Sequence, residues 1–226
     1  MWKMLKRVYF EVREFLWPLL EGEPKKPQVR SASQILEQLK TEQDADKVKR
    51  LLEISKEISE REEKRRTTVE SKATTLLGAT GFTITLIVSF GKSLFVDLES
   101  SSDVNLFTVY IFSFFFLLSI VYFSRTIHFS LKSLSRKGFH TLKHKDVIEM
   151  EGLSAVEYDK KIAATILENT ANNYPIVNEK VDWMVMSQEY FRRGIFSVIV
   201  AALLLSLKVY IFYLLQYIKE LSSYIR

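Results

Sequence analysis

The feature that most constrains this chain is a long run of residues without a single charge. The run VNLFTVYIFSFFFLLSIVYFS occupies residues 104–124, about 21 residues. At 1.5 Å of rise per residue, a helix of this length crosses the roughly 30 Å hydrocarbon core of a bilayer. A buried helix of a water-soluble protein is rarely apolar on every side for so long. The run therefore predicts a membrane-spanning helix.

Two further segments have the same character. The first covers about residues 73–96, has Lys92 as its only charge, and contains three glycines of the kind that favour close helix packing in lipid. The other covers about residues 194–218, is interrupted by Lys208, and ends in a band of tyrosines typical of a membrane interface. We predict an all-α membrane protein with three transmembrane helices continuous with long cytosolic helices.

Lysine and arginine are distributed unevenly around these spans. Residues 47–72 hold nine of them, residues 125–145 hold six and no acid, and Arg192 and Arg193 precede the third span. The loop DLESSSD between the first two spans is acidic instead. Because cytoplasmic loops carry the excess of basic residues, the N-terminus and residues 125–193 are predicted to be cytoplasmic. The C-terminus, residues 219–226, then lies outside as a short tail.

The N-terminal third divides into three segments before the first span. Residues 1–20 have the helical periodicity of an amphipathic helix and lack the apolar core of a signal peptide. Such a helix lies on an anionic leaflet or packs on the rest of the protein, and the sequence leaves both open. Prolines mark residues 17–33 as a linker, so residues 1–33 form one region. Residues 34–72 form a cytosolic helical arm, which Ser31 or Ser33 can cap and TEQDADK can interrupt.

The remaining boundaries follow from breakers and periodicity. From residue 46 to 96 there is no proline and no glycine before Gly78, so one helix can run from the arm through the first span of the hairpin, residues 73–124. Residues 125–193 are predicted as a cytosolic helical bundle with a break near Gly138 or Gly152. Within it we predict a helix over 154–172 and a second that has Pro175 in its first turn and continues into the third span.

The composition and motifs exclude most catalytic classes. The chain has no cysteine and three histidines, which excludes disulfides, thiolate metal sites and cysteine nucleophiles. It contains no phosphate-binding glycine loop, HExxH, nucleophile elbow or kinase signature. His140 and His144 share a helix face, but no carboxylate pattern completes a metal site, and the adjoining lysines favour a basic surface. We predict no enzyme activity, no metal and no cofactor.

One face of the first predicted span carries small and hydroxyl-bearing side chains. In lipid such a stripe meets another helix or water. It either packs tightly inside one protomer or lines a water-filled path in an oligomer, and the sequence leaves both alternatives open. Lys208 presents a similar choice between snorkelling to the outer interface and facing a pore or subunit contact. The predicted pore or helix-interface residues are Thr74, Gly78, Gly81, Thr85, Ser89, Lys92 and Lys208.

The basic cluster after the second span is a second candidate site. Its six cations face no acidic residue within the same stretch. Anionic lipid headgroups beside the span explain such a cluster, and a site for a negatively charged ligand is the alternative. Its members are Arg125, Lys132, Arg136, Lys137, Lys143 and Lys145.

Two segments carry a family resemblance. EKRRTTVESKATTLLGATG, residues 63–81, and VNEKVDWMVMSQEYFRRGIF, residues 177–196, resemble the span entries of SLATT and Pycsar-type transmembrane effectors of anti-phage defence. The resemblance covers about residues 60–218 and carries over no ligand site. It implies a homo-oligomer in the bacterial inner membrane, switched by a cytosolic signal that is often a nucleotide. The matching positions are Lys72, Ala73, Leu76, Leu77, Gly78, Arg192, Arg193 and Gly194.

The predicted function is therefore an oligomeric effector that forms a channel or disrupts the inner membrane when a cytosolic signal or partner triggers it. Two alternatives remain. One is a membrane anchor that docks a soluble partner, and the other is a small regulatory channel or transporter subunit. The expected partners are the bilayer, further copies of the chain and a cytosolic protein or nucleotide, and no nucleic acid is expected.

Overall fold

The structure is a computed structural model that describes residues 30–99, 106–142 and 152–224, together with four isolated positions before residue 14. The described residues form four helices and no strand, which confirms the all-helical prediction. Of the amphipathic helix predicted over residues 1–20, only those four positions are described, and all four are helical; most of the acidic loop lies outside the described residues. The helices are α1 (Ala32–Gln38), α2 (Ala45–Glu99), α3 (Leu106–Leu134) and α4 (Ala155–Tyr224).

A capping box begins α1. The Gln34 backbone N–H donates to Ser31 Oγ over 3.4 Å, and the Ser31 N–H donates to Gln34 Oε1 over 3.1 Å. Each side chain thereby satisfies a backbone N–H that the first helical turn leaves without a partner. Ser31 is thus the cap among the two serines that the sequence proposed. The polar stretch that follows ends α1, as predicted, and α2 begins at Ala45.

α2 is one continuous helix over 55 residues, as the absence of internal breakers predicted. α4 departs from prediction. It is a single 70-residue helix with Pro175 in its interior, not two helices with proline in the first turn of the second. An internal proline removes one helical hydrogen bond and costs about 3 kcal/mol. Buried side chains on both sides, Asn173 and Val177, hold this part of α4 in place and offset that cost.

The chain divides into two compact units. Unit 1 comprises Met1–Ala73 and Lys132–Met184, and unit 2 comprises Thr74–Leu131 and Val185–Arg226. In unit 1, Leu52 of α2 packs with Ala163 and Ile166 of α4 in a small apolar cluster. α2, α3 and α4 each contribute residues to both units.

The side chain of Asn173 on α4 holds the non-helical segment after α3 through two hydrogen bonds. The amide of Asn173 donates to the His140 carbonyl over 2.7 Å and accepts from the His140 N–H over 2.8 Å. Both backbone polar groups of His140 are therefore satisfied by a side chain that is itself buried. Gly138 lies in this segment, and Gly152 adopts a φ of 91° three residues before α4, so the break predicted near these glycines is confirmed.

Three of the helices are long and apolar enough to cross a membrane by length and composition. The helix portions that contain such an apolar stretch are Ala45–Ser89 of α2, Tyr110–Leu134 of α3 and Ala155–Leu207 of α4. Each portion overlaps one of the three spans that hydropathy predicted, residues 73–96, 104–124 and 194–218.

Candidate functional site

The small-residue face of α2 points away from the rest of unit 2. Gly78, Gly81, Thr85 and Ser89 are all exposed, and a Cβ built at Gly78 or Gly81 meets no atom within 4 Å. The fully buried hydroxyl of this stretch is Thr80, on the opposite side of the helix. The alternative of tight packing inside one protomer requires a close neighbour at these glycines. The described residues of the chain do not supply one.

The hydroxyls on this face are bonded within the helix. Thr85 Oγ1 donates to the Gly81 carbonyl over 3.0 Å, and Ser89 Oγ donates to the Thr85 carbonyl over 2.8 Å. A hydroxyl that bonds the preceding turn satisfies its donor without water or a second helix. This face therefore differs from the rest of the helix mainly in its small side chains, because the hydroxyls of Thr85 and Ser89 already have hydrogen-bond acceptors. Its exposed neighbours, Phe82 and Val88, are large and apolar.

Two predicted members of the pore or helix-interface set have side chains outside the described residues, and a third is described. Lys92 lies in α2 and Lys208 in α4, but their side chains are outside the described part of the structure. Thr74 begins the face in unit 2 and is exposed. The snorkelling and pore alternatives for Lys208 both stay predictions.

Small residues pack a different pair of helices, which the sequence analysis missed. In unit 2 the hydroxyls of Ser130 on α3 and Ser187 on α4 lie 2.6 Å apart, and Ser187 Oγ lies 3.0 Å from the Thr126 carbonyl oxygen. Further along α4, Gly194 is buried beneath the ring of Phe123. Such small side chains let two helix backbones approach closely.

A sequence signal for this contact exists. Phe112, Ser119, Thr126 and Ser133 follow each other at intervals of seven and are all buried. A seven-residue repeat of buried positions marks the seam of two packed helices. The composition of the predicted second span, rich in phenylalanine throughout, conceals the repeat when only hydropathy is read.

The basic cluster after the second span does not act as one surface. Arg125 lies over the ring of Tyr190 in unit 2, with its guanidinium carbon 5.9 Å from the ring centroid. Lys132 lies over Trp183 in unit 1 at 4.3 Å. These two cations are engaged by aromatic faces, a contact that partly compensates their charge. Lys143 and Lys145 lie outside the described residues.

The two remaining members, Arg136 and Lys137, line a cavity in unit 1 with a volume of about 290 Å³. Arg66 of α2 and Lys180 of α4 line it as well, and Glu70 is the one acidic residue on its wall. We call this the cationic cavity. Arg66 and Lys180 lie 114 residues apart, so no local pattern in the sequence could have joined them.

Lys180 is the most deeply placed charge of the cationic cavity. Its side chain is 6% exposed, and its Nζ lies 2.6 Å from Glu70 Oε1. The carbonyl of Lys180 accepts a hydrogen bond of 3.0 Å from the buried hydroxyl of Ser133. A buried ammonium needs such a partner, because desolvation strongly disfavours an isolated charge.

Two carboxyl groups of unit 1 respond to their surroundings in opposite directions. Lys137 donates a hydrogen bond to Glu179 and lowers the pKa of that carboxyl below its usual value. Burial raises the pKa of Glu62, and nearby Arg65 offsets the effect in part. Glu179 is therefore held in its charged form beside Lys137, which lowers the local excess of positive charge.

A larger cavity of about 620 Å³ adjoins the same residues of unit 1. Arg66 and Phe139 line both cavities, and His140, Asn169 and Asn173 line only the larger one. Its charged lining is balanced, with Glu60 and Glu63 against Lys64 and Arg66. Within residues 30–99, 106–142 and 152–224, no group of three or more His, Asp or Glu side chains is placed to hold a metal ion. His144 lies outside these residues.

Comparison of the chain with protein-family models, with curated proteins and with solved structures finds no match.

Proposed function

We propose that the chain is an integral membrane protein whose three candidate spans cross the bacterial inner membrane. The support is that large apolar side chains remain exposed along all three segments. Exposing apolar surface to water costs about 25 cal/mol per Å², and contiguous exposed patches of this kind mark membranes or protein contacts. Representative exposed residues are Phe82, Leu86, Phe114, Leu117, Phe196 and Leu203.

The proposed orientation places the N-terminus and residues 125–193 in the cytoplasm and the C-terminus outside. It rests on the basic flanks of the spans and on the acidic loop.

Single cysteines test this orientation directly, because the natural chain has none. Ser101→Cys and Ser222→Cys are expected to react with a membrane-impermeant thiol reagent in intact cells, and Ser154→Cys only after lysis. The readout is the labelled fraction of each variant, with the cysteine-free chain as the blank. Labelling of Ser154→Cys alone in intact cells contradicts the orientation.

We further propose that several copies assemble through the exposed small-residue face of α2. The observation that carries this step is that, among the described residues, no side chain and no other helix comes within 4 Å of a Cβ at Gly78 or Gly81. A glycine does not improve packing against lipid tails, whereas it lets the backbone of a second helix approach closely. In a symmetric homo-oligomer, the same face of a neighbouring copy can pack against this face of α2.

The proposed activity is permeabilisation of the membrane by this assembly, as an effector of anti-phage defence. A cytosolic protein or small anionic signal acts on unit 1 and alters the contacts along α2. Because α2 and α4 each contribute residues to both units, movement of their cytosolic parts would reach the spans. The proposal contains no catalytic step.

Two measurements test the activity. The chain purified in detergent is expected to run as a complex of several copies, and induced expression with the trigger present is expected to depolarise cells and arrest growth. A monomer in detergent removes the channel. An oligomer that leaves the membrane potential unchanged in every condition contradicts the effector and favours the anchor, which needs only to hold a soluble partner at the membrane.

A further inference from the structure

The cationic cavity concentrates positive charge from three separate segments of unit 1. Arg66, Arg136, Lys137 and Lys180 line it against the single carboxylate of Glu70. Three of these cations have carboxylate partners, but only Glu70 lies on the cavity wall. Glu63, which pairs with Arg66 at 2.5 Å, and Glu179, which pairs with Lys137, lie outside it. The space inside the cavity therefore faces a clear excess of positive charge.

Two of the cations retain capacity to bind a further group. Arg136 is exposed and makes no ion pair among the described residues. Arg66 is held against the ring of Phe139, with 4.3 Å from its guanidinium carbon to the ring centroid. Its Nε atom is buried and has no hydrogen-bond acceptor in the described part of the chain. A buried N–H donor without an acceptor costs about 1–3 kcal/mol, so the polar groups of Arg66 are incompletely satisfied within the described residues.

The volume of the cationic cavity and its uncharged wall residues limit the kind of ligand that it can hold. A volume of about 290 Å³ lies at the small end of ligand cavities. Arginine binds phosphate through a planar fork of N–H groups, and lysine adds a compact charge, so this set favours phosphate oxygens. Leu134, Phe139 and Ile176 provide an apolar wall for the carbon part of the ligand.

We propose that the cationic cavity binds a phosphate group, carried either by a small phosphorylated compound or by the headgroup of an anionic lipid. Arg66 and Arg136 hold the phosphate oxygens, and Lys137 and Lys180 compensate the charge. As the receiving site for the small anionic signal, this site rests on the proposed function, but binding to it requires neither an oligomer nor conduction.

The experiment uses the full chain in maltoside micelles, which contain no phosphate, and measures its melting temperature. One arm titrates inorganic pyrophosphate at constant ionic strength, adjusted with sodium chloride to hold screening fixed. The other arm adds phosphatidylglycerol to the micelles and compares it with an equal amount of phosphatidylcholine.

Arg136→Gln is the test variant, since it removes one exposed cation of the cavity and no buried contact. Arg61→Gln is the control, because Arg61 is another exposed cation of unit 1, paired with Glu57, that does not line the cavity. We expect the apparent affinity to fall about tenfold in Arg136→Gln, as for the loss of one charge-assisted hydrogen bond, and to stay unchanged in Arg61→Gln.

Each outcome is decisive. If pyrophosphate stabilises the wild type, and its apparent affinity falls in Arg136→Gln but not in Arg61→Gln, the result supports the site and identifies a soluble phosphorylated ligand. The same ranking with phosphatidylglycerol alone supports the site and identifies a lipid headgroup. If neither additive raises the melting temperature, or if both variants respond like the wild type, the cavity is not a phosphate site. Because the assay needs no channel, its failure leaves the proposed activity to be judged separately.

Discussion

Gly194→Leu is expected to destabilise the chain strongly, whereas Gly78→Leu is expected to leave its own fold intact. A Cβ at Gly194 would lie 2.7 Å from one ring carbon of Phe123 and 2.9 Å from the next, and Phe123 is fully buried. Real side chains do not approach so closely, so the ring or the helix must move. We expect a loss of about 3 kcal/mol, the upper end of the cost of overpacking a buried site.

The measurement is the melting temperature of the purified chain in detergent, expected to fall by about 10 °C for a loss of this size. Gly78→Leu provides the control for packing within the protomer, because no side chain or other helix of the described residues lies within 4 Å of a Cβ there. A compensating change sharpens the test. In the milder variant Gly194→Ala, adding Phe123→Leu should recover part of the stability, since the two residues are in direct contact. Gly194→Leu protein that melts like the wild type would contradict the close contact between α3 and α4.

Gly81→Leu is expected to dissociate the oligomer without unfolding the protomer. The described residues leave open space around a Cβ at this position, so we expect a leucine here to collide with a neighbouring copy. Overpacking an interface by about 1–3 kcal/mol raises the concentration needed for assembly roughly 5- to 150-fold. The expected result is a smaller complex in detergent with an unchanged helical content by circular dichroism, and loss of membrane depolarisation in cells.

Two further variants on α2 separate size from polarity. Leu86→Phe adds bulk at an exposed position away from the small-residue face and should leave the complex intact. Thr85→Val keeps the shape and removes a hydroxyl that donates to the Gly81 carbonyl. If the face only packs, Thr85→Val should conduct like the wild type, and if the face lines water, permeation should fall. An unchanged complex in Gly81→Leu removes the proposed interface.

The resemblance to anti-phage effectors and the exposed α2 face support the proposal at different levels. The resemblance supplies the biological setting, and the exposed face supplies the contact through which copies would assemble. The phosphate site proposed for unit 1 would give the cytosolic part a ligand of defined chemistry. It uses two cations that the sequence analysis singled out and two that it did not.

The sequence by itself determined where the chain is helical and which helices are apolar enough for a membrane. These properties are local, because they depend on charge, on breakers and on side chains within a few turns. A serine cap at the start of α1, left open between Ser31 and Ser33, the polar break before α2 and the uninterrupted run of α2 were predictable for this reason. The hydropathy of the spans is also additive along the chain, so it can be read without knowledge of any contact.

Only the tertiary structure decided which faces pack and which charges meet. Pro175 stays inside α4 because contacts distant in sequence offset its local cost. The local preference of proline for the first turn of a helix predicts a helix boundary there instead. Small residues of α3 and α4 form a buried contact, while the equally small face of α2 is exposed, and composition cannot distinguish the two. Arg66, Arg136 and Lys180 line the same cavity because the packing of the helices brings them together. Charges interact through space, so their distance along the sequence does not show that they meet.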